Sequence, residues 1–162
     1  MNKVFTFLII AATIMLSVSC SSSKIARTYS KTINGNWQLN TIVTEGITGK
    51  FKARVFNEAD FDCFIGSTWK FNDNTSLGSY NIAKNGGDCA AVVRNIRWSI
   101  YEPAGLPKEF QFKRVDGKYK DMDNSAGFRF TILQLDDNTM VLKNNFDLEG
   151  KPVSFLYNFK RI

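Results

Sequence analysis

The feature that most constrains the fold of this chain is the alternation of apolar and polar residues within many short segments. The clearest case lies near the C-terminus, where Val153, Phe155, Tyr157 and Phe159 occupy every second position. A period of two places such residues on one face of a β-strand. Aromatic and β-branched residues also favour strands, and the chain has 14 Phe, 5 Tyr and 3 Trp. The sequence therefore predicts an all-β protein.

The segments follow one another with turn-like residues between them, and no long amphipathic helix interrupts them. One short helical turn is expected over residues 57–62. This spacing indicates an antiparallel meander of about eight or nine strands. Closing the meander into a single up-and-down β-barrel of about eight strands removes the exposed edges of an open sheet. A two-sheet sandwich is the alternative. The predicted strands cover residues 35–43, 50–57, 67–71, 77–83, 89–101, 109–115, 127–135, 140–146 and 153–160.

The first 20 residues have the organisation of a secretory signal peptide. Lys3 supplies a positive charge, residues 4–18 are mostly apolar, and Ser19 precedes Cys20. The apolar run is shorter than the roughly 20 residues of a membrane-spanning helix. A cysteine after a small residue resembles a bacterial lipoprotein box, which implies a thiol carrying fatty acyl chains such as palmitate. An ordinary cleaved signal with a free thiol at Cys20, or an uncleaved anchor, are the alternatives.

On this interpretation the chain has three parts. Residues 1–19 are a signal peptide cleaved before Cys20, residues 20–32 are a flexible tether, and residues 33–162 are the folded domain. The expected location is the cell envelope, with the protein held on the outer membrane by the lipid on Cys20. Both the periplasmic face and the cell-surface face are compatible with this anchor. About 143 of the 162 residues remain after cleavage, which is the size of one ordinary domain.

Composition argues against several classes of function. The chain has no histidine, so the commonest general base and metal ligand are missing. The net charge of +6 is spread along the chain without a basic run, which gives nucleic-acid binding no support. The spacing of Asp121, Asp123 and Ser125 resembles part of a calcium loop, but the Glu at its twelfth position is missing. We expect a protein that is not an enzyme and uses no cofactor and no metal.

Two cysteines remain beyond Cys20. In an oxidising compartment, an even pair is typical of a disulfide, so we expect Cys63 to be joined to Cys89. The chain-entropy treatment assigns about 3.5 kcal/mol of stabilisation to a loop of about 27 residues. Two buried free thiols are the alternative.

A family resemblance rests on Gly35-Asn36-Trp37 in the first strand, which is similar to the Gly-x-Trp signature of lipocalins. The resemblance implies a barrel in which an Arg near the last strand lies across the Trp ring at the closed end. Arg161 is the matching residue. The placement of Cys63 before an aromatic strand, with Cys89 after the next hairpin, is similar to small bacterial lipocalin-like lipoproteins. The resemblance spans about residues 33–162.

Lipocalin-like barrels are expected to act as monomers that hold a small ligand. We therefore expect a small hydrophobic or amphipathic molecule in an aromatic-lined interior. The alternative is a barrel with a solid core, in which residues 44–49, 72–76, 102–108 and 116–126 at the open end contact envelope proteins or glycans. The candidate ligand-lining residues, which are equally consistent with a simple core, are Trp69, Phe71, Trp98, Phe110, Phe112, Phe128, Phe130, Phe155 and Tyr157.

Overall fold

The computed structural model describes residues 23–47, 52–148 and 150–162. The predicted signal peptide and Cys20 lie outside the described residues. The described part contains two helices and ten strands. The helices are α1 (Lys24–Ile33) and α2 (Phe61–Phe64). The strands are β1 (Gly35–Glu45), β2 (Arg54–Val55), β3 (Ala59–Asp60), β4 (Thr68–Asn72), β5 (Leu77–Ile82), β6 (Val92–Tyr101), β7 (Glu109–Val115), β8 (Phe128–Leu135), β9 (Thr139–Leu148) and β10 (Lys151–Arg161).

Eight of these strands form one closed antiparallel barrel in the order β1-β10-β9-β8-β7-β6-β5-β4. Closure depends on β1, which pairs with β10 along most of its length and with β4 through residues 35–38. The ladder is continuous, so the up-and-down barrel prediction is confirmed and the sandwich alternative is wrong. The period-two pattern explains the core, because alternate residues of β10, including Phe155 and Tyr157, are buried.

The segment before the barrel is a helix rather than a tether, so the prediction for residues 20–32 is wrong from residue 24 onward. The Ser23 hydroxyl caps α1 by accepting a hydrogen bond from the Ala26 amide at 2.9 Å. Ala26, Tyr29 and Ile33 are spaced by three and four residues, which is the helical period. Ala26 and Ile33 are buried, and α1 packs against β6 and β8. The helix therefore covers one end of the barrel.

The predicted strand over residues 50–57 is also wrong, because most of it does not join the barrel. Among its described residues 52–57, only Arg54 and Val55 are extended, and they pair with Asp60 and Ala59 in a small separate ribbon. Residues 56–58 form the turn of this ribbon, and α2 follows instead of a helical turn over 57–62. This insertion between β1 and β4 covers the barrel end opposite α1.

The two ends of the barrel therefore differ in the segments that cover them. The direction of the strands places residues 73–76, 102–108 and 136–138 at the end covered by α1. Residues 83–91 and 116–127 lie at the opposite end with the insertion. The prediction that residues 72–76 and 102–108 belong to the open end is wrong, since both connect strands at the helix-covered end. None of the described helices is long and apolar enough to cross a membrane.

The seam where the barrel closes is fixed by Arg161. Its guanidinium carbon lies 4.2 Å from the centre of the Trp37 ring, so the expected contact between the two residues is present. The guanidinium also donates hydrogen bonds to the carbonyls of Thr32, Asn34 and Asp137. The Trp37 indole N–H in turn donates to the Ile33 carbonyl at 2.7 Å. One side chain thus joins the end of α1, the first strand and the turn between β8 and β9.

Gly35 is required at this seam for two reasons. Its φ of +119° lies in a region that L side chains rarely adopt, and a Cβ there would lie 2.7 Å from Nη1 of Arg161. Arg161 has little freedom to move away, because stacking and three carbonyl contacts hold it. The glycine of the Gly-x-Trp signature is therefore explained by the close approach of the guanidinium.

This arrangement predicts that Gly35→Ala destabilises the protein more than Gly86→Ala does. Gly86 has a nearly identical φ of +122° but no atom within 4 Å of the added Cβ, so it reports backbone strain alone, about 1–3 kcal/mol. Gly35→Ala should cost about 1–2 kcal/mol more because it also displaces Arg161 from the Trp37 ring. Urea denaturation of both variants measures the difference, and equal losses would contradict this role of the seam.

Candidate functional site

The nine residues predicted to line a ligand all point toward the barrel interior. Eight are at most 3% exposed, and Phe128 is partly buried at the end of the barrel that the insertion covers. Their rings pack mainly edge to face or tilted, as in the pair Phe71 and Phe110, whose centroids lie 5.5 Å apart. Such geometry is favourable for aromatic quadrupoles. The structure brings these residues together as one aromatic cluster, and their role toward a ligand stays a prediction.

The interior of this cluster is filled. The internal cavity has a volume of only about 10 Å³, which leaves no room for an organic ligand. The ring that fills it belongs to Phe56, a residue of the insertion rather than of the barrel wall. Six aromatic rings lie within 6.0 Å of its centroid: Phe64, Trp69, Phe112, Phe128, Phe130 and Tyr157. Phe56 therefore fills the centre of the aromatic interior.

A cleft of about 230 Å³ opens directly above Phe56. Its walls are the inserted residues 53–57 on one side and the ends of β8, β9 and β10 on the other. Phe128, Phe130 and Tyr157 line both this cleft and the contact surface of Phe56. The Phe56 ring is thus the partition between the cleft and the aromatic core.

The backbone that carries Phe56 is strained. Phe56 and Asn57 have φ values of +55° and +53°, in the left-handed region that costs most L residues free energy. Asn tolerates this conformation better than a bulky aromatic residue does. The strain is sustained by the contacts on either side of the turn, which are the aromatic core at Phe56 and a cluster of charges at Glu58.

The charge cluster joins the insertion to three barrel strands. Oε2 of Glu58 accepts hydrogen bonds from Nε of Arg94 at 2.6 Å, Nη1 of Arg114 at 2.9 Å and the Tyr80 hydroxyl at 3.1 Å. Oε1 accepts a further bond from Nη2 of Arg94 at 3.0 Å, so Arg94 binds the carboxylate in a bidentate manner. Arg114 also donates from Nε to Asp123 at 2.8 Å. Only 12% of the Glu58 side chain is exposed.

These contacts shift the ionisation of the cluster. Burial alone would raise the pKa of Glu58, but the hydrogen bonds and charges of Arg94, with Tyr80 and Arg114, outweigh it and hold that pKa below its ordinary value. The hydrogen bond from Arg114 lowers the pKa of Asp123. Burial and the Glu58 carboxylate raise the pKa of Tyr80. At neutral pH, Glu58 is therefore ionised and Tyr80 keeps its proton.

The Cys63–Cys89 disulfide is present, as predicted. It joins α2 to the connection between β5 and β6, and Cys63 is almost completely buried. The adjacent Phe64 packs on Trp69 and Tyr80. The disulfide therefore fixes the second half of the insertion on the barrel. Residues 52–58 are held by Phe56 and Glu58, by the short ribbon with residues 59–60 and by the ion pair between Lys52 and Asp88.

A second, larger concavity lies on the outer face of the barrel across β6, β7 and β8. It has a volume of about 620 Å³ and is open to solvent, with Arg97, Lys113 and Arg129 among its lining residues. Two of these charges have acidic partners, since Lys113 lies 3.6 Å from Asp121 and Arg129 lies 3.4 Å from Glu109. The groove is open to solvent, and its lining combines basic side chains with apolar surface from residues such as Trp98 and Phe128.

The sequence missed Phe56, Glu58, Arg94 and Arg114 as site residues. The alternation pattern could have identified the two arginines. Arg94 lies on the same strand face as Ile96 and Trp98, and Arg114 lies on the same face as Phe110 and Phe112. A charged residue at an inward position needs a partner. Phe56 carried no such signal, since nothing in the pattern places a bulky residue in a left-handed turn.

The described residues contain no group of three or more Cys, Asp or Glu side chains that could hold a metal ion. In the segment that resembles a calcium loop, the first carboxylate binds backbone amides of the same turn. Oδ1 of Asp121 accepts the amides of Asp123 and Ser125 at 2.8 Å each, and Asp123 pairs with Arg114. These contacts explain the aspartates as parts of a turn.

Comparisons with known proteins found similarity to one family model and to a solved structure. A family model described as a lipocalin-like domain matches residues 33–142. A solved structure of a lipocalin-like protein from Bacteroides uniformis ATCC 8492 is similar over 81% of this chain and 99% of that chain, with 12% sequence identity and a TM-score of 0.45. The search of curated proteins found no match.

The charge cluster predicts a specific loss of stability in acid. A carboxylate whose pKa is lowered by folding stabilises the protein above its unfolded pKa, about 4.3 for Glu, and this contribution is lost as pH falls through the folded value. Glu58→Gln should therefore lower the free energy of unfolding at pH 7 by about 1–3 kcal/mol. The difference in the free energy of unfolding between Glu58→Gln and the wild type should decrease steadily below about pH 4.3.

The control is Glu45→Gln, which removes a half-exposed carboxylate paired with Lys143 at 2.8 Å. Surface pairs contribute about 0–1 kcal/mol, so this variant should differ less from the wild type at neutral pH. Urea denaturation between pH 7 and pH 3 provides the measurement. A gap between wild type and Glu58→Gln that does not change with pH would show that the Glu58 charge does not stabilise the insertion.

Proposed function

The chain belongs to the lipocalin-like domain family, and from that premise we propose that it binds a small hydrophobic or amphipathic molecule inside its aromatic barrel. Eight-stranded barrels of this kind are wide enough to hold one small ligand. Binding, rather than catalysis, is the typical use of the fold. The proposal depends on one observation, which is that the residue filling the interior belongs to the inserted segment and not to the wall.

Movement of Phe56 would convert the filled interior into a ligand site. The cleft of about 230 Å³ is below the roughly 300–1,000 Å³ of most ligand pockets. Withdrawal of the Phe56 ring joins this cleft to the aromatic core and adds the volume of a phenyl group. Phe112, Phe130 and Tyr157, whose rings now contact Phe56, would then contact the ligand. Such walls favour molecules with aromatic or alkyl groups.

The filled interior also supports a second candidate function. With a cavity of only about 10 Å³, the barrel could act as a solid scaffold that contacts envelope proteins or glycans through its surface. The outer groove across β6, β7 and β8 is the concavity suited to such contacts. The two functions differ in whether an apolar probe enters the barrel.

The location of the protein is part of the same proposal. The signal-like N-terminus and Cys20 support a lipid anchor, because two or more acyl chains on one cysteine give stable attachment. We propose a monomer that this lipid holds on the outer membrane. Helix α1 begins four residues after Cys20, so the anchor would hold the α1 end of the barrel near the membrane. The cleft at the opposite end would then face away from the lipid.

The ligand hypothesis predicts that N-phenyl-1-naphthylamine, a neutral aromatic fluorophore, binds the wild-type protein. It should bind Phe56→Ala at least about tenfold more tightly, because the free energy of displacing the ring no longer opposes binding. Phe159→Ala is the matched control, since Phe159 is also buried but belongs to the barrel wall near the end covered by α1. Fluorescence titration gives both affinities. Absence of binding to wild type and Phe56→Ala alike would favour the solid scaffold.

The anchoring hypothesis predicts that Cys20 carries the lipid. The full-length chain expressed in a bacterial host with an alkyne-tagged palmitate should incorporate the label and fractionate with membranes. Cys20→Ser should abolish both the label and the membrane association, because no other thiol follows the signal-like segment directly. Labelling that persists in Cys20→Ser would contradict this assignment, and intact mass spectrometry of the purified protein locates the modification.

A further inference from the structure

The inner surface of the barrel changes from aromatic to cationic toward the end that the insertion covers. On β6 the inward row runs from Trp98 through Ile96 to Arg94, and on β7 it runs from Phe110 through Phe112 to Arg114. Tyr80 of β5 is the cross-strand neighbour of Arg94 and is fully buried. Two guanidinium groups and one hydroxyl thus converge at the end of the barrel that the insertion covers. They lie on the side of the inserted turn away from the cleft, whose walls are residues 53–57 and the strands β8, β9 and β10.

All three groups donate hydrogen bonds to one carboxylate, that of Glu58. The donors belong to the rigid wall, whereas the acceptor belongs to the inserted turn. Withdrawal of the turn would leave Arg94 and Arg114 with only the Asp123 carboxylate between them, and Tyr80 without its acceptor. Uncompensated charge in a partly buried site is unfavourable. An occupant that displaces the turn must therefore supply an anionic group at this position to keep the cluster satisfied.

The turn itself has the chemical form of such an occupant. Phe56 places an apolar ring in the core, and Glu58, two residues later, places a carboxylate between the arginines. Phe56 and Asn57 have left-handed conformations. In this turn the side chains of Phe56 and Glu58 both point into the barrel. Residues 56–58 thus act as an internal ligand, with an apolar part inside and an anionic part at the mouth.

We propose that Arg94, Arg114 and Tyr80 form the recognition site for the carboxylate of a monocarboxylic acid with an apolar tail, which replaces Phe56 and Glu58 in the barrel. This inference rests on the proposed ligand-binding function and specifies the chemical class of the ligand. Bidentate contact by Arg94 gives the site a preference for a planar carboxylate over a neutral group. Glu58 is then an autoinhibitory residue that competes with the ligand.

The test compares decanoic acid with 1-decanol as competitors of N-phenyl-1-naphthylamine at pH 7.5. The two compounds share the alkyl chain and differ in the carboxylate. In the wild type, decanoate should displace the fluorophore at about tenfold or more lower concentration than decanol. Glu58→Gln should bind decanoate still more tightly, because the internal competitor has lost its charge. The affinity for decanol should rise less, because the loosened turn assists both compounds whereas only the acid gains the contact with the arginines.

Arg94→Gln should remove most of the preference for the acid while retaining binding of the fluorophore. Arg97→Gln is the matched control, because it removes the same charge from the same strand at an exposed outer position. Near-UV circular dichroism of each variant shows whether it is folded. Tyr80→Phe provides a second variant that removes one donor and no charge, and it should weaken decanoate alone by several-fold.

The possible results are separable. Loss of acid preference in Arg94→Gln but not in Arg97→Gln supports the proposal. Equal competition by decanoate and decanol in the wild type and in Glu58→Gln overturns it, although the proposed ligand-binding function would stand. Failure of the fluorophore to bind any folded variant, Phe56→Ala included, overturns both the proposed function and this inference.

Discussion

The carboxylate of Glu58, held between the guanidinium groups of Arg94 and Arg114, is the interaction on which the state of the barrel interior depends. It fixes a strained turn whose next apolar side chain, Phe56, fills the core. The two contacts are coupled through the backbone, since Phe56 and Glu58 are two residues apart in the same turn. Removal of one partner from a buried ion pair strongly destabilises a protein, so loss of either the carboxylate or an arginine should weaken the attachment of the turn.

The end of the barrel covered by α1 is held mainly by contacts to backbone carbonyls and to one aromatic ring. There Arg161 contacts the Trp37 ring and three backbone carbonyls, and α1 lies across the strand ends. All of these contacts join elements close to the seam, so that end is rigid. The disulfide between Cys63 and Cys89 extends rigidity to α2. Residues 52–58, between the end of β1 and α2, lie outside these contacts and are held by Phe56, Glu58 and the short ribbon with residues 59–60.

Much of the fold followed from the sequence, because alternation in strands such as β10 and the Gly-x-Trp and cysteine positions report local geometry. The helix α1 was missed because its apolar face is narrow. Only Ala26 and Ile33 are buried among polar residues, and the cap at Ser23 was the available signal. The inserted turn could not be predicted, since Val55 and Phe56 resemble strand residues and their final positions depend on Glu58 finding arginines 36 and 56 residues away. Such long-range pairing is a property of the closed barrel, not of the segment.

The most direct test of the account is amide hydrogen exchange, resolved by residue, with and without saturating N-phenyl-1-naphthylamine. In the unliganded protein the Glu58 amide donates to the Val55 carbonyl and the Phe61 amide to the Ala53 carbonyl. If the inserted turn leaves the barrel when a ligand enters, exchange at both amides should accelerate, while barrel amides such as Leu39 should stay protected. Unchanged exchange at Glu58 and Phe61 under saturation would contradict displacement of the turn.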